Sequence, residues 1–123
     1  MDKPILVLGL SPGFQRTISL SSFETGRINR AHTYREDVSG KPVNVARVIN
    51  QLKQGAAQLI LPLGAENQEA FTAELDKDQI AHIAISVPGY SRWCYTILDE
   101  RGLEGAFPRM TELIVEEPEL PAE

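Results

Sequence analysis

At Ser39-Gly40-Lys41-Pro42 the sequence opens into an amphipathic helix, and no other segment constrains the fold as tightly. Val45, Val48, Ile49 and Leu52 fall at i, i+3, i+4 and i+7, which sets all four on one helical face. Pro42 suits a first turn, where its missing N–H would have no helical partner anyway. Gly55 is expected to end the helix. Apolar runs flank it: Ile5-Leu6-Val7-Leu8 before, closed by Gly9 and Ser11-Pro12-Gly13, and Leu59-Ile60-Leu61 after, followed by Gly64. The first reads as a central strand buried on both faces, the second as the next buried strand. Strand, helix, strand predicts an α/β sheet, mainly parallel.

Between the first strand and that helix, residues 15–38 read as small antiparallel strands leaving and rejoining the main sheet. Thr17-Ile18-Ser19-Leu20 alternates like a half-exposed strand, and Phe23-Glu24-Thr25-Gly26 reads as a turn. A second helix is expected from about Asn67 to Asp76, with Ala70, Phe71 and Leu75 turned inward. Ile80–Val87 reads as a strand, Pro88-Gly89 as a turn, and Trp93–Leu98 as another strand. Asp99-Glu100-Arg101-Gly102 is expected to be a hairpin-like turn into Leu103–Phe107.

Charge narrows the function classes. The net charge of −5 splits into +4 over residues 1–61 and −9 over 62–123. A basic first half with few, scattered cations suits a small anionic ligand. A nucleic-acid surface would need a long basic stripe with interleaved aromatics, which is missing, so no nucleic-acid partner is expected. The acidic run from Glu112 to Glu123 reads as a solvated end. No apolar stretch approaches the roughly 20 residues that span a bilayer, so no membrane partner is expected. Ile5–Leu8 is too short for the apolar region of a signal peptide, and one cysteine, Cys94, allows no internal disulfide; both favour the cytoplasm.

Ser39-Gly40-Lys41-Pro42-Val43-Asn44 is the foremost candidate site. A helix N-terminus presents free N–H groups and the positive end of its dipole, Gly40 allows close approach, and Lys41 adds a full charge. The alternative is an ordinary loop whose glycine serves a turn. A Walker A loop is ruled out, because Gly-x4-Gly-Lys-Ser/Thr is absent. His32 and His82 lack metal-ligand companions, so no metal site is expected. Cys94 reads as a structural thiol, His82 as exposed on a strand, and Trp93 and Tyr95 as packing residues. Asp76 and Asp78 read as a charged helix end; Arg30, Arg35 and Arg47 read either as ligand groups or as solvated or helix-surface residues.

Four segments carry a resemblance to a known family. Ile5–Thr17 resembles the first strand and turn of 1-phosphofructokinases and tagatose-6-phosphate kinases, which read T-L-N-P-A-[IL]-D-[RK]-T there. Gly26-Arg27-Ile28-Asn29-Arg30 is similar to their G-x-[VI]-N-R. Ser39–Val48 is similar to G-G-K-G-x-N-V-A-R-x-L, and Pro88–Arg92 to G-x-T-R. Order and spacing match across nearly the whole chain. The sequence thus resembles the N-terminal portion of a PfkB-type kinase of the ribokinase superfamily.

The resemblance implies residues 1–123 as the sugar-phosphate-binding part of an α/β domain, with residues 15–38 in a β lid. It implies phosphate binding at Gly40, Lys41 and Arg92, and sugar hydroxyls at Asn44. Arg27 would be a lid residue able to reach substrate. Gln15 stands where the family has an Asp, and so loses a charged acceptor. Ser11 replaces the usual Asn, while Ser39 and Pro42 replace two loop glycines; Pro42 removes a backbone donor. Trp93-Cys94 falls where Thr-Asn is common. The implied substrate is a phosphorylated ketose, fructose 1-phosphate first.

The family's G-A-G-D segment and nucleotide pocket have no counterpart in these residues. ATP and Mg²⁺ are therefore expected with a complete member and not with this chain alone, which is expected to be catalytically inactive by itself. The alternatives are a non-catalytic sugar-phosphate-binding or dimerisation module, or a truncated remnant. An uncovered sheet edge, or the lid, is expected to make the chain a homo-oligomer.

Overall fold

The computed structural model describes residues 3–104 and 107–116, and the chain divides into two compact units. The first comprises residues 3–14, Val38–Arg92 and Glu116; the second comprises Gln15–Asp37 and Trp93–Val115. Element order is β1 (Ile5–Leu8), β2 (Gly13–Leu20), β3 (Thr33–Ser39), α1 (Lys41–Leu52), β4 (Ala57–Gly64), α2 (Gln68–Lys77), β5 (Ala81–Val87), β6 (Arg92–Glu104) and β7 (Phe107–Ile114). The mixed α/β class expected from the sequence is present.

In the first unit β1, β4 and β5 form a three-stranded sheet in the order β1-β4-β5, parallel throughout. β4 is central. Its alternate residues Ala57, Leu59, Leu61 and Leu63 are all buried, because α1 and α2 pack on that face. Phe71 and Leu75 close the core from α2, and the Phe14 ring meets Phe71 edge-on with centroids 5.3 Å apart. Ala70, expected inward, is exposed.

Two expectations fail here for one reason. β1 is an edge strand among the described residues, with Val7 buried but Leu6 and Leu8 exposed. α1 is a helix as predicted, yet it packs through Val43 and Ala46, while Val45 (48%), Val48 (53%) and Leu52 (83%) remain exposed. In both elements the apolar pattern is present, but only one side meets a neighbour. On the sheet face away from the helices, Leu8, Ile60 and Ile83 stand in register. With Leu6 and Ile85 they form an apolar row, and all of them except half-buried Ile60 are exposed.

The helix itself ends at Leu52, where the Lys53 N–H bonds the Ile49 carbonyl. Gly55 (φ 74°) instead shapes the turn into β4. His82, expected exposed, lies on the helix-covered face. Its side chain is 17% exposed and its Nδ1 is 2.9 Å from the Ile80 carbonyl.

The second unit is built on a four-stranded sheet in the order β3-β2-β6-β7. β6 and β7 pair antiparallel, from Cys94 opposite Ile114 to Glu104 opposite Phe107. The expected turn at Asp99–Gly102 is an irregular stretch inside β6, and the strand continues to Glu104. The reason is local. Asp99 Oδ1 accepts the N–H groups of Arg101 (3.2 Å) and Gly102 (3.3 Å), which bends the strand without reversing it. Glu112, read as the start of a solvated end, is exposed but sits in β7 opposite Thr96; residues beyond Glu116 lie outside the described ones.

Asp99 is 3% exposed and its Oδ2 takes a bond from Arg109 at 3.0 Å. Burial pushes its pKa upward, but the bonds from Arg109 and from the N–H groups of Gly102, Phe23 and Arg101 together outweigh it. The carboxyl is held below the usual aspartate range.

Candidate phosphate-binding site

Gly40 and Arg92 border one short turn. Gly40 has φ 120° and ψ 147°, a region essentially reserved for glycine. A Cβ there would stand 3.0 Å from the Ser11 carbonyl oxygen, so the turn after β1 presses directly on the start of α1. The same turn also meets Arg92, where a Cβ on Gly13 would lie 3.1 Å from the Arg92 carbonyl and 3.2 Å from its Cγ. Ser11-Pro12-Gly13 is therefore in contact with both the helix start and the arginine.

The N-terminus of α1 is electrostatically open. Gly40 offers no side-chain cap, and no acidic residue occupies the first turn. The Asn44 N–H makes the first helical bond, to the Gly40 carbonyl at 3.1 Å. N–H groups ahead of it have no acceptor four residues back, and Pro42 contributes none. Lys41 and Asn44 are exposed at this end; the Asn44 Oδ1 accepts a bond from Arg47 at 3.2 Å. Arg47 also pairs with Asp78 at 2.8 Å, so it belongs to the helix surface, not to the turn.

Of the six sequence candidates, Gly40, Lys41, Asn44 and Arg92 fall in the first unit, and Gln15 and Arg27 in the second. Gln15 donates from Nε2 to the Thr96 hydroxyl at 2.7 Å. Arg27 lines a polar hollow of about 430 Å³ with Ser21, Ser22, Glu24, Asn29 and Arg30. Asn29 folds that loop: its amide accepts from the Glu24 N–H and donates to the carbonyls of Glu24 and Arg27.

Two features escaped the sequence. Arg16 lies over the rings of Trp93 (5.2 Å) and Tyr95 (5.7 Å) while pairing with Glu36, so the two aromatics cradle a cation. The Arg16 bond, opposed by burial and aided by Tyr34, keeps the Glu36 carboxyl below its usual range. Ser91, next to Arg92, is 6% exposed and bound on several sides by Gly64 and Asn67. With Asn67 and Ser91 24 positions apart, no local pattern could announce that bond. Among the described residues no cluster of three His, Cys, Asp or Glu side chains could hold a metal, and no helix is long and apolar enough to cross a membrane.

No family model matches the sequence. Its structure is similar to that of Escherichia coli phosphofructokinase-2 in complex with fructose-6-phosphate, with a TM-score of 0.81 and 18% identity over 93% of this chain. The chain has a ribokinase-like fold. It spans about a third of the length of the structures it matches: 36% of that phosphofructokinase-2 and 36% of Thermotoga maritima ribokinase (TM-score 0.66, 17% identity, 91% of this chain). A Thermotoga maritima protein described as a possible 1-phosphofructokinase matches with a TM-score of 0.76 and 22% identity, 92% of this chain against 35% of that one. Within the ribokinase-like fold, the segment shared here includes the parallel sheet, both helices and the four-stranded sheet.

Proposed function

We propose that this chain is the sugar-phosphate-binding part of a PfkB-type carbohydrate kinase, and that its ligand is a phosphorylated ketose. The observation that carries the reading is that an uncapped, acid-free helix start and Arg92 both press on the Ser11–Gly13 turn. The Lys41 ammonium and the first N–H groups of α1 would meet one phosphate, and the planar fork of Arg92 would add two parallel bonds. Asn44 would accept from and donate to sugar hydroxyls. Gln15 and Arg27 enter on the motif resemblance alone, the first with a neutral amide where that family carries an Asp.

Binding is separable from transfer. Phosphoryl transfer needs an in-line donor, a metal on the phosphates and a base for the attacking hydroxyl. ATP would be the donor in a complete kinase. Among the described residues no group of three His, Cys, Asp or Glu side chains stands together to hold the metal. Calorimetric titration of the purified chain with fructose 1-phosphate and fructose 6-phosphate is expected to show one site, weakened on the order of 10–100-fold by Arg92→Ala, the loss of a charge-assisted bond pair. Addition of ATP and Mg²⁺ to the chain and sugar phosphate is expected to give no product. Turnover by the pure chain would overturn the separation of binding from chemistry; absence of heat with both sugars would overturn the binding role.

A second reading, an interaction module, is favoured by the exposed row Leu6, Leu8, Ile83 and Ile85 together with the outer stripe of α1. Parallel sheets are ordinarily covered on both faces. The expected result is a homo-oligomer on size exclusion with light scattering at micromolar concentration. A monomer there, with no binding of a fluorescent apolar probe, would remove this reading.

A further inference from the structure

We propose that Asn67 is a positioning residue for the phosphate site: its side-chain amide fixes the backbone of Ser91 and thereby sets Arg92. This rests on the sugar-phosphate reading above for its functional consequence. Asn67 is the N-cap residue of α2, a place where an asparagine ordinarily bonds its own helix, yet its side chain makes no capping bond. It is turned instead to Ser91, accepting the Ser91 N–H on Oδ1 at 2.8 Å and donating from Nδ2 to the Ser91 carbonyl at 2.9 Å. A primary amide offers the same donor and acceptor as a peptide group, so Asn67 pairs with Ser91 as a neighbouring strand would.

Three more contacts hold the same peptide run. The Gly64 N–H donates to the Ser91 hydroxyl at 3.0 Å, and the Glu66 N–H to the Gly89 carbonyl at 3.0 Å. A Cβ on Gly64 would lie 2.3 Å from the Ser91 nitrogen and 2.3 Å from the Tyr90 carbonyl carbon, so the end of β4 touches this backbone directly. Arg92 follows at once, and the Gly13 backbone stands against its carbonyl. The arginine is thus held from the Asn67 side and from the turn that borders the α1 N-terminus. Such fixing reduces the ordering cost of gripping an anion, and removing one support lowers affinity without touching the ligand.

The test uses the full chain and fructose 1-phosphate. Asn67→Ala is expected to weaken binding at least tenfold, and the Asn67→Ala/Arg92→Ala double variant is expected to bind no worse than Arg92→Ala alone, because both act through one group. Asn67→Asp keeps the acceptor for the Ser91 N–H but loses the donor, and is expected to fall between wild type and Asn67→Ala; it serves equally if Asn67→Ala does not fold. Lys77→Ala, which breaks a surface pair with Glu74 at the far end of α2, is the control and is expected to bind as wild type. Unchanged affinity in Asn67→Ala, or a loss that simply adds to that of Arg92→Ala, overturns the proposal. Should the wild-type chain bind no sugar phosphate, the functional reading fails while positioning is still read by NMR. The Arg92 Nε–Hε resonance is expected to shift in both Asn67 variants and not in Lys77→Ala, and an unmoved resonance refutes the positioning role.

Discussion

Gly64→Ala is expected to disrupt the parallel unit more than any other single-methyl addition to its glycines. The added carbon would sit 2.3 Å from two backbone atoms of the Tyr90–Ser91 run, inside any real contact distance, and neither atom belongs to a flexible side chain. Relief would require the 89–92 segment to move off the end of β4. That movement would break the Gly64 to Ser91 hydroxyl bond and the two Asn67 bonds with it. Overpacking typically costs about 1–3 kcal/mol and more where backbone must shift, and each buried group left unpaired adds roughly 1–3 kcal/mol. Gly89→Ala provides the comparison. Gly89 has φ 86° but nothing within 4 Å of its Cβ position, so its cost is conformational alone, about 1–2 kcal/mol. Urea unfolding of the two variants distinguishes space from conformation. Equal midpoints would show that the 89–92 run yields freely, and the account of its rigidity would be wrong.

Phe71→Ala is expected to lower stability by about 3–5 kcal/mol, the usual cost of emptying a fully buried aromatic site. Phe71 is 0% exposed, lies between α2 and the central strand side of the core, and gives up an edge-on contact with Phe14. For a chain of this size the loss corresponds to roughly 10–25 °C in Tm. Phe71→Leu retains most of the apolar volume and is expected to lose much less. A calorimetric Tm within a few degrees of wild type for Phe71→Ala would mean that the site collapses around the truncation, or that α2 does not carry this core. The two predictions are linked, since α2 bears Asn67 at its start and the Phe71 N–H bonds the Asn67 carbonyl at 3.3 Å.

Much of the fold was legible in short stretches. α1 begins one residue after Gly40, as the Gly-Lys-Pro run implied, and β4 is the buried strand that Leu59-Ile60-Leu61 announced. The placement of Gly40, Lys41 and Asn44 at a helix start followed from spacing, because helix geometry is local. Arg92 beside the same turn did not follow from spacing. It entered through resemblance, and in the folded chain it shares the Ser11–Gly13 turn with the helix start. The hairpin reversal was misplaced because Asp99 was read as a turn former, whereas its carboxylate is committed to Arg109 and to two N–H groups of its own strand.

Sequence alone determined where both helices and the strands flanking them begin and which glycine precedes α1, because periodicity and left-handed backbone are properties of neighbouring residues. It could not determine which apolar stripes are covered. Val45, Val48 and Leu52 have the spacing of a core face, yet Val43 and Ala46 make the contact, since burial depends on what the chain brings alongside. Tertiary structure likewise decided that Asn67 holds Ser91 and that Arg16 rests between Trp93 and Tyr95. Those bonds join residues far apart in the chain, and only the path of the folded backbone makes them neighbours.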